Sequence, residues 1–391
     1  MPTECITNPL QRELADSIIR MVPLDEIRIL LACGAKVNEP VTQGLRPLHY
    51  AVWQRYYEAA QLLLTRGGDV NAVDECGYSP LHLSAEHGYT EVVRLLLLSG
   101  AKVNYRPNTD EDFPRTTQCD EPLRLAIRNK HMDIARMLLE HGADPNKRYF
   151  FGAEINLVTD LEFLELLLTF GANPDSRDRS GLTPLMKAVR QPQGMEAALI
   201  LLKYALSVSP IIGSPLHVAC ADNIPNRYDI LQMLLKAGAD PNLKVYNDLY
   251  DHNSQLRPVL VEYVASNTNP SLAVVNLLIR YGAKVVMKTQ FRDPDGILNS
   301  LQNVISAKCD SIFFLLLEAS ESFDVCMIRR NSVITPEQKA TLLELAKYPL
   351  SLRRQVRVFL RRLLGGNKLI DSVPSFELPK CLEKYLLFDY S

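Results

Sequence analysis

The chain has 391 residues, and a hydrophobic content of 47% is ample for a buried core and excludes a disordered chain. Its 43 basic and 45 acidic residues nearly cancel, so the molecule as a whole has no electrostatic reason to sit on nucleic acid or an anionic membrane, and neither is expected as a partner. The eight cysteines are scattered without a CxxC pair, no basic segment leading into an apolar core opens the chain, and no apolar run approaches the roughly 18 residues of a membrane span. These features predict reduced thiols in a cytoplasmic protein, with the nucleus also open to it.

One motif returns along most of the chain: "LLACGAKVN" (30–38), "LLTRGGDVN" (63–71), "LLLSGAKVN" (96–104), "LLEHGADPN" (138–146), "LLTFGANPD" (167–175), "LLKAGADPN" (234–242) and a worn "LLIRYGAKVV" (277–286). About 20 residues before several of its glycines stands a second motif, "RPLHYAV", "SPLHLSA", "EPLRLAI", "TPLMKAV" or "SPLHVAC". In the fullest copy, 74–104, Pro80 suits a first helical turn, and Leu81, Leu83 and Ala85 give a short helix with one packed face. Gly88 permits a tight turn into a second apolar helix carrying Val92, Val93, Leu95, Leu96 and Leu97, and Gly100 is the left-handed residue expected to end it. No such unit buries both helix faces alone, so neighbours must stack.

The glycine spacing locates the irregularities. Gly34, Gly67 and Gly100 lie 33 apart; the 42 to Gly142 accommodates a polar insertion at 106–120, and the 29 to Gly171 predicts a truncated first helix in "RYFFGAEINLVTD". Ala205 stands about where the next glycine belongs, Gly238 restores the register, Gly282 follows after 44, and a degenerate last unit covers about 289–320. Eight or nine units result, filling 1–328. The whole region resembles the ankyrin repeat family, most fully in 74–104. That resemblance implies an all-α solenoid of helix–turn–helix units with β-hairpin loops and a concave binding surface.

Catalytic and metal chemistry find no support in the motifs. There is no GxxxxGK[S/T], GxGxxG or GxSxG, and the acidic "DED" at 110–112 reads as solvated loop charge. His49, His82 and His217 hold one place in the PLH motif, where the ankyrin resemblance implies a bond to the backbone of the adjacent hairpin. His131 matches the turn position, while His141 and His252 have no partner at metal-ligand spacing. No cofactor is expected, and the chain is not expected to be an enzyme. Variable positions on the binding surface are Leu45, Trp53, Gln54, Tyr78, Glu86, His87, Arg128 and Asn129, the candidates for contact with an unidentified protein substrate. Trp53 is read two ways, as an interface aromatic or, with Tyr56 and Tyr57, as packing against a neighbouring turn.

Beyond the repeats, "ITPEQKATLLELAKYP" predicts a connecting helix within 329–348, with Thr335 as N-cap, Pro336 first, Gln338 closing a capping box and Pro349 ending it. A helix then restarts in "PLSLRRQVRVFLRRLL". It has a stripe of Leu352, Val356, Phe359, Leu360 and Leu363 flanked by five arginines, a pattern open to anionic lipid, to calmodulin or to a partner protein. Gly365 and Gly366 break it, a proline-containing connection follows, and a short helix built on Leu382, Tyr385 and Leu386 closes the chain.

Residues 349–391 resemble a SOCS box, and repeats followed by that box are the layout of the ankyrin repeat and SOCS box family. The family's first box reads Ser or Thr, Leu, three residues, Cys, three residues and a small or branched apolar residue. Ser351, Leu352 and Leu360 match it, and Val356 stands at the cysteine. The second box reads Leu-Pro, an apolar residue and Pro; Leu378 and Pro379 match, while Lys380 and Cys381 depart. The resemblance implies elongin B and elongin C docking through Leu352, Val356, Phe359 and Leu360. It implies cullin-5 docking, with its RING protein, through Leu378, Pro379, Leu382 and Tyr385. The implied function is substrate recognition for a ubiquitin ligase leading to proteasomal degradation. Two rival readings make the tail merely a cap on the last repeat, covered by the Leu352–Leu363 stripe, or an anchor whose arginine face grips anionic lipid.

Overall fold

The structure, a computed structural model, describes residues 9–105, 120–191, 194–204, 214–221, 224, 226–243, 257–289, 295–306 and 310–389. Most of the insertion, the acidic run at 110–112, Ala205 and His252 lie outside these. The chain divides into two compact units, Met1–Arg179 and Ser180–Ser391.

In the first unit, helices pair as α1 (Pro9–Ile19) with α2 (Leu24–Ala32), α3 (Pro47–Trp53) with α4 (Tyr57–Thr65), α5 (Pro80–His87) with α6 (Thr90–Leu98), and α7 (Pro122–Arg128) with α8 (Met132–Glu140). The first members α1, α3, α5 and α7 pack in succession, as do the second members α2, α4, α6 and α8. The truncated repeat has no α-helical first member: the two-residue strands β1 (Arg148–Tyr149) and β2 (Gly152–Ala153) form an antiparallel hairpin, followed by a single 3-10 turn at Glu154–Asn156 and then α9 (Leu161–Thr169).

Each repeat motif performs a local task. In "SPLH", the Ser79 hydroxyl accepts from the His82 backbone N–H while His82 Nδ1 accepts from the Ser79 N–H, so the helix start is capped twice. Gly88 sits at φ 77° after α5, and a Cβ there would come within 2.6 Å of the His131 ring, so conformation and space both require glycine. His49 Nε2 lies 3.2 Å from the Tyr78 carbonyl and His217 Nε2 2.8 Å from that of Arg257, which is the expected backbone role. Desolvation by burial lowers the pKa of both rings and pulls His82 down to about 4. His131 contacts the Glu86 carbonyl at 3.1 Å and His141 that of Met137 at 2.8 Å. Among the described residues no group of histidines, cysteines and carboxylates is arranged to hold a metal ion.

The asparagine that ends the glycine motif joins one repeat to the next. Asn71 donates to the Gly100 carbonyl and accepts from the Lys102 N–H, and Asn38, Asn104, Asn146 and Asn242 make the corresponding pair of bonds. One side chain thus satisfies a helix-end carbonyl and a turn N–H in the following repeat.

In the second unit, α10 (Pro184–Arg190) pairs with α11 (Gly194–Tyr204), and α12 (Pro215–Ala219) with α13 (Arg227–Lys236). Next come α14 (Val259–Ser266), packed on α12, and α15 (Leu272–Arg280), packed on α13, then α16 (Leu301–Ser306) with α17 (Asp310–Ala319). Strand β3 (Val286–Met287) pairs in parallel with β4 (Ser322–Phe323), tying the last two repeats together where a hairpin was expected. The connecting helix belongs to a further pair, α18 (Val325–Arg330) with α19 (Pro336–Lys347), and Thr335 and Gln338 form the expected capping box.

The tail comprises α20 (Leu352–Leu364), α21 (Gly366–Ser372), a 3-10 turn at Val373–Phe376 and α22 (Lys380–Leu387). Gly365, at φ 72°, ends α20 as expected, but the connection after it is helical because Leu369 and Val373 enter a small core with Leu386. Among the described residues no helix is long and apolar enough to cross a membrane.

Candidate protein-docking site

Helix α20 starts where Ser351 caps it, its hydroxyl accepting from the Arg354 N–H. At about 100° per residue, Leu352, Val356, Phe359 and Leu363 fall within one narrow stripe, whereas Arg357 and Arg361 fall on the far side. The polarity of this helix is inverted: the four apolar side chains are 76%, 45%, 62% and 66% exposed, and Arg357 is 2% exposed.

The reason lies in what the helix packs against. Helices α15 and α17 end in carbonyls without intrahelical partners, at the negative end of each helix dipole. Arg354 Nη2 donates to the Leu317 carbonyl (3.0 Å), and Arg357 Nη2 to that of Glu318 (2.8 Å). Arg361 Nη2 donates to the carbonyls of Ile279 and Ala283. Arg357 Nη1 reaches the Glu318 carboxylate (3.4 Å) and the Tyr385 carbonyl (3.2 Å), and its guanidinium lies 4.2 Å from the Tyr385 ring and 3.9 Å from that of Phe388. Arg353 covers the Tyr385 ring at 4.0 Å, and Arg362 pairs with Glu321 at 2.7 Å. Desolvation, together with the neighbouring Arg357, pulls Arg361 down to about 10, so it remains cationic at neutral pH.

These contacts bear on both rival readings of the tail. Three arginines of the basic face, Arg354, Arg357 and Arg361, are taken up by protein, while Arg353 and Arg362 keep exposed surface. The tail does cover the ends of α15 and α17, but it does so with arginines, and the Leu352–Leu363 stripe faces away from them. Of the residues expected to dock elongin, Leu360 lies about 80° round the helix from Leu352 and packs, half-buried, against the Leu369–Val373–Leu386 core, whereas Leu363 continues the exposed stripe. Of the cullin candidates, Pro379 is exposed at the start of α22 and Leu382 is 36% exposed. Leu378 packs on the tail core and Tyr385 lies beneath two arginines, both half-buried. Lys380 and Cys381 are exposed.

In the first unit, four of the eight surface candidates converge. Trp53, 57% exposed, meets the His87 ring edge-on at 5.6 Å; the His87 ring stacks on Tyr89, and Arg55 covers Tyr89 at 5.6 Å. The Glu86 carboxylate lies 3.8 Å from Arg128, which also bonds Asp120 at 3.2 Å. Trp53 therefore touches the next repeat through one edge and leaves most of its surface to solvent, while Tyr56 turns back to donate to the Val22 carbonyl. The other four are also tied into the fold, three of them through their backbone. Leu45 closes a tight turn with Thr42, Tyr78 supplies the carbonyl to His49, Gln54 bonds back to its own helix at the end of α3, and the Asn129 amide caps the Leu125 carbonyl.

The comparisons with known proteins agree with this geometry. Ankyrin repeats match at residues 30–83, 66–149 and 154–245, and a SOCS box at 348–387. Human "Ankyrin repeat and SOCS box protein 16" is 34% identical over 115 residues, covering 28% of this chain and 25% of that protein. A Danio rerio protein carrying the designation palmitoyltransferase ZDHHC13 is 29% identical over 185 residues, 44% of this chain and 28% of its own length. The aligned stretches thus span little more than a quarter of either relative. Repeats built to hold a protein, followed by a SOCS box, define a class of non-catalytic adaptor. The chain belongs to the ankyrin repeat and SOCS box family.

Proposed function

We propose that the protein is the substrate-recognition subunit of an elongin–cullin–RING ubiquitin ligase. Elongin C, with elongin B, would seat on the stripe Leu352, Val356, Phe359 and Leu363; cullin-5 and its RING protein would approach the exposed Pro379 and Leu382. A client protein would be held on the repeats, with Trp53, Glu86, His87 and Arg128 as its first contacts in the N-terminal unit. The work is done in the cytoplasm, where reduced thiols persist, and ends in ubiquitination and proteasomal degradation of the client. The chain supplies effective concentration, bringing client lysines near a charged E2, and no bond-making of its own.

The observation that carries this reading is the exposed apolar stripe on a helix whose other face is already anchored. Covering those four side chains is worth roughly 5 kcal/mol on transfer values of about 1.5–3 kcal/mol per fully buried side chain. The anchored helix pays little backbone ordering entropy on binding. Co-purification tests it: wild type should hold elongin B and C in stoichiometric amounts, and Leu352→Arg should lose at least tenfold of both with unchanged circular dichroism, since Leu352 is 76% exposed. Failure of wild type to capture elongins removes the ligase reading and leaves the tail as an end cap for a non-degradative scaffold.

A further inference from the structure

In the second unit, the turns after α13 and α15 and the junction of α20 with α21 enclose an open groove of about 510 Å³. Six charged side chains line it: Lys284, Arg361, Arg362 and Lys368 against Asp240 and Glu321. Glu321 is taken by Arg362 at 2.7 Å, and Asp240 accepts from the Asn242 N–H at 2.8 Å. Asp371, which acts on the lining residue Tyr281 from outside the groove, is a further carboxylate nearby. Lys284 and Lys368 are exposed. Arg361 carries the most information. Its Nη2 is held by the Ile279 and Ala283 carbonyls, but its Nη1 is buried without any hydrogen-bond partner. A buried guanidinium N–H without an acceptor is costly, by about 1–3 kcal/mol or more, and arginine's planar fork is shaped for oxyanions.

We propose that this groove binds a phosphorylated side chain of a client protein, with Lys284 and Lys368 as its exposed cations and Arg361 as a fixed positive charge in its wall. Two negative charges on a phosphomonoester suit this excess of cations better than the single charge of a carboxylate. The volume far exceeds that of a phosphate ion, and Pro241, Tyr281 and Leu364 add apolar wall for neighbouring residues of a peptide. The proposal rests on the adaptor reading and names a class of client that reading leaves open.

The test uses the full chain and fluorescence anisotropy with a labelled peptide pool carrying a fixed phosphoserine and degenerate flanks, against the same pool unphosphorylated. The phosphorylated pool should bind at least tenfold more tightly, inorganic phosphate should compete in the millimolar range, and Lys284→Glu with Lys368→Glu should abolish the difference. Those two lysines make no tail-docking contact, so the double variant keeps the fold; Arg361→Lys is the sharper but riskier substitution. Equal binding of the two pools, or an unchanged preference in the double variant, overturns the proposal. So does O-phosphoserine binding as tightly as the pool, which would mark a site for a free anion. Elongin capture by wild type is read separately. Intact capture by wild type with no phosphate preference sinks the groove alone, and lost capture by wild type sinks the adaptor reading alone.

Discussion

Arg357 and Phe388 show how much of the tail depends on two side chains. Phe388 occupies the left-handed region at φ 52°, a conformation that strains a bulky residue by about 1 kcal/mol, and its ring is held there against Arg357 and Arg361. Arg357→Lys keeps the charge but loses the planar fork that meets the Glu318 and Tyr385 carbonyls together and stacks between two rings. We expect it to destabilise the C-terminal unit by about 2 kcal/mol in a denaturant titration. A change within about 0.5 kcal/mol would mean that the guanidinium is not what anchors the tail. None of this was visible in "PLSLRRQVRVFLRRLL". Spacing gave an apolar stripe and a basic face, but which face turns inward depends on carbonyls at Ile279, Leu317 and Glu318, tens of residues away in the chain. The same gap hid that Leu360 packs on the tail core while Leu363 is exposed.

At the scale of the element, the shortened repeat around Glu154 is the most unusual. Glu154 is buried beside Arg124, 3.7 Å away, whose guanidinium lies over the Tyr149 ring; burial pushes the Glu154 carboxyl up to about 7, with Arg124 opposing. An acid raised in the folded state binds its proton more tightly there than in the unfolded chain. The associated stability is full below about pH 4.5 and fades as pH rises through 7. Glu154→Gln should therefore become progressively more stable than wild type from pH 5 to pH 8, by up to about 3 kcal/mol. Parallel melting curves across that range, with no growing difference, would count against a protonated Glu154. The sequence spacing did reveal that this repeat is short, because 29 residues fall four below the 33 that separate Gly34, Gly67 and Gly100. It did not reveal that a hairpin and a single 3-10 turn bring Glu154 into the interior. Elements fixed by local chemistry were legible in full, as with the Thr335, Pro336 and Gln338 start of α19. Helix α21 was missed since Gly365 and Gly366 read as a break, and only the tail core draws Leu369 and Val373 inward.

For the whole molecule, the repeat order and the closing box were legible because both are written in recurring local motifs. The division at Arg179 and Ser180, with the tail belonging to the second unit, was not, since it rests on tertiary contacts. Removing residues 349–391 should uncap α15 and α17. Hydrogen exchange at the amides of 272–283 and 310–319 is expected to quicken at least tenfold, and an unchanged rate there would deny the tail any role in holding those helices. The inverted helix α20 has one more consequence. A solvent-facing band of leucine, valine and phenylalanine is also what chaperones and quality-control proteases bind in misfolded chains. On the adaptor reading, a copy of this protein without its elongin is chemically indistinguishable at that surface from a damaged one. Its cellular half-life should then follow the supply of its docking partner, so that the adaptor is itself rationed by the machine it serves.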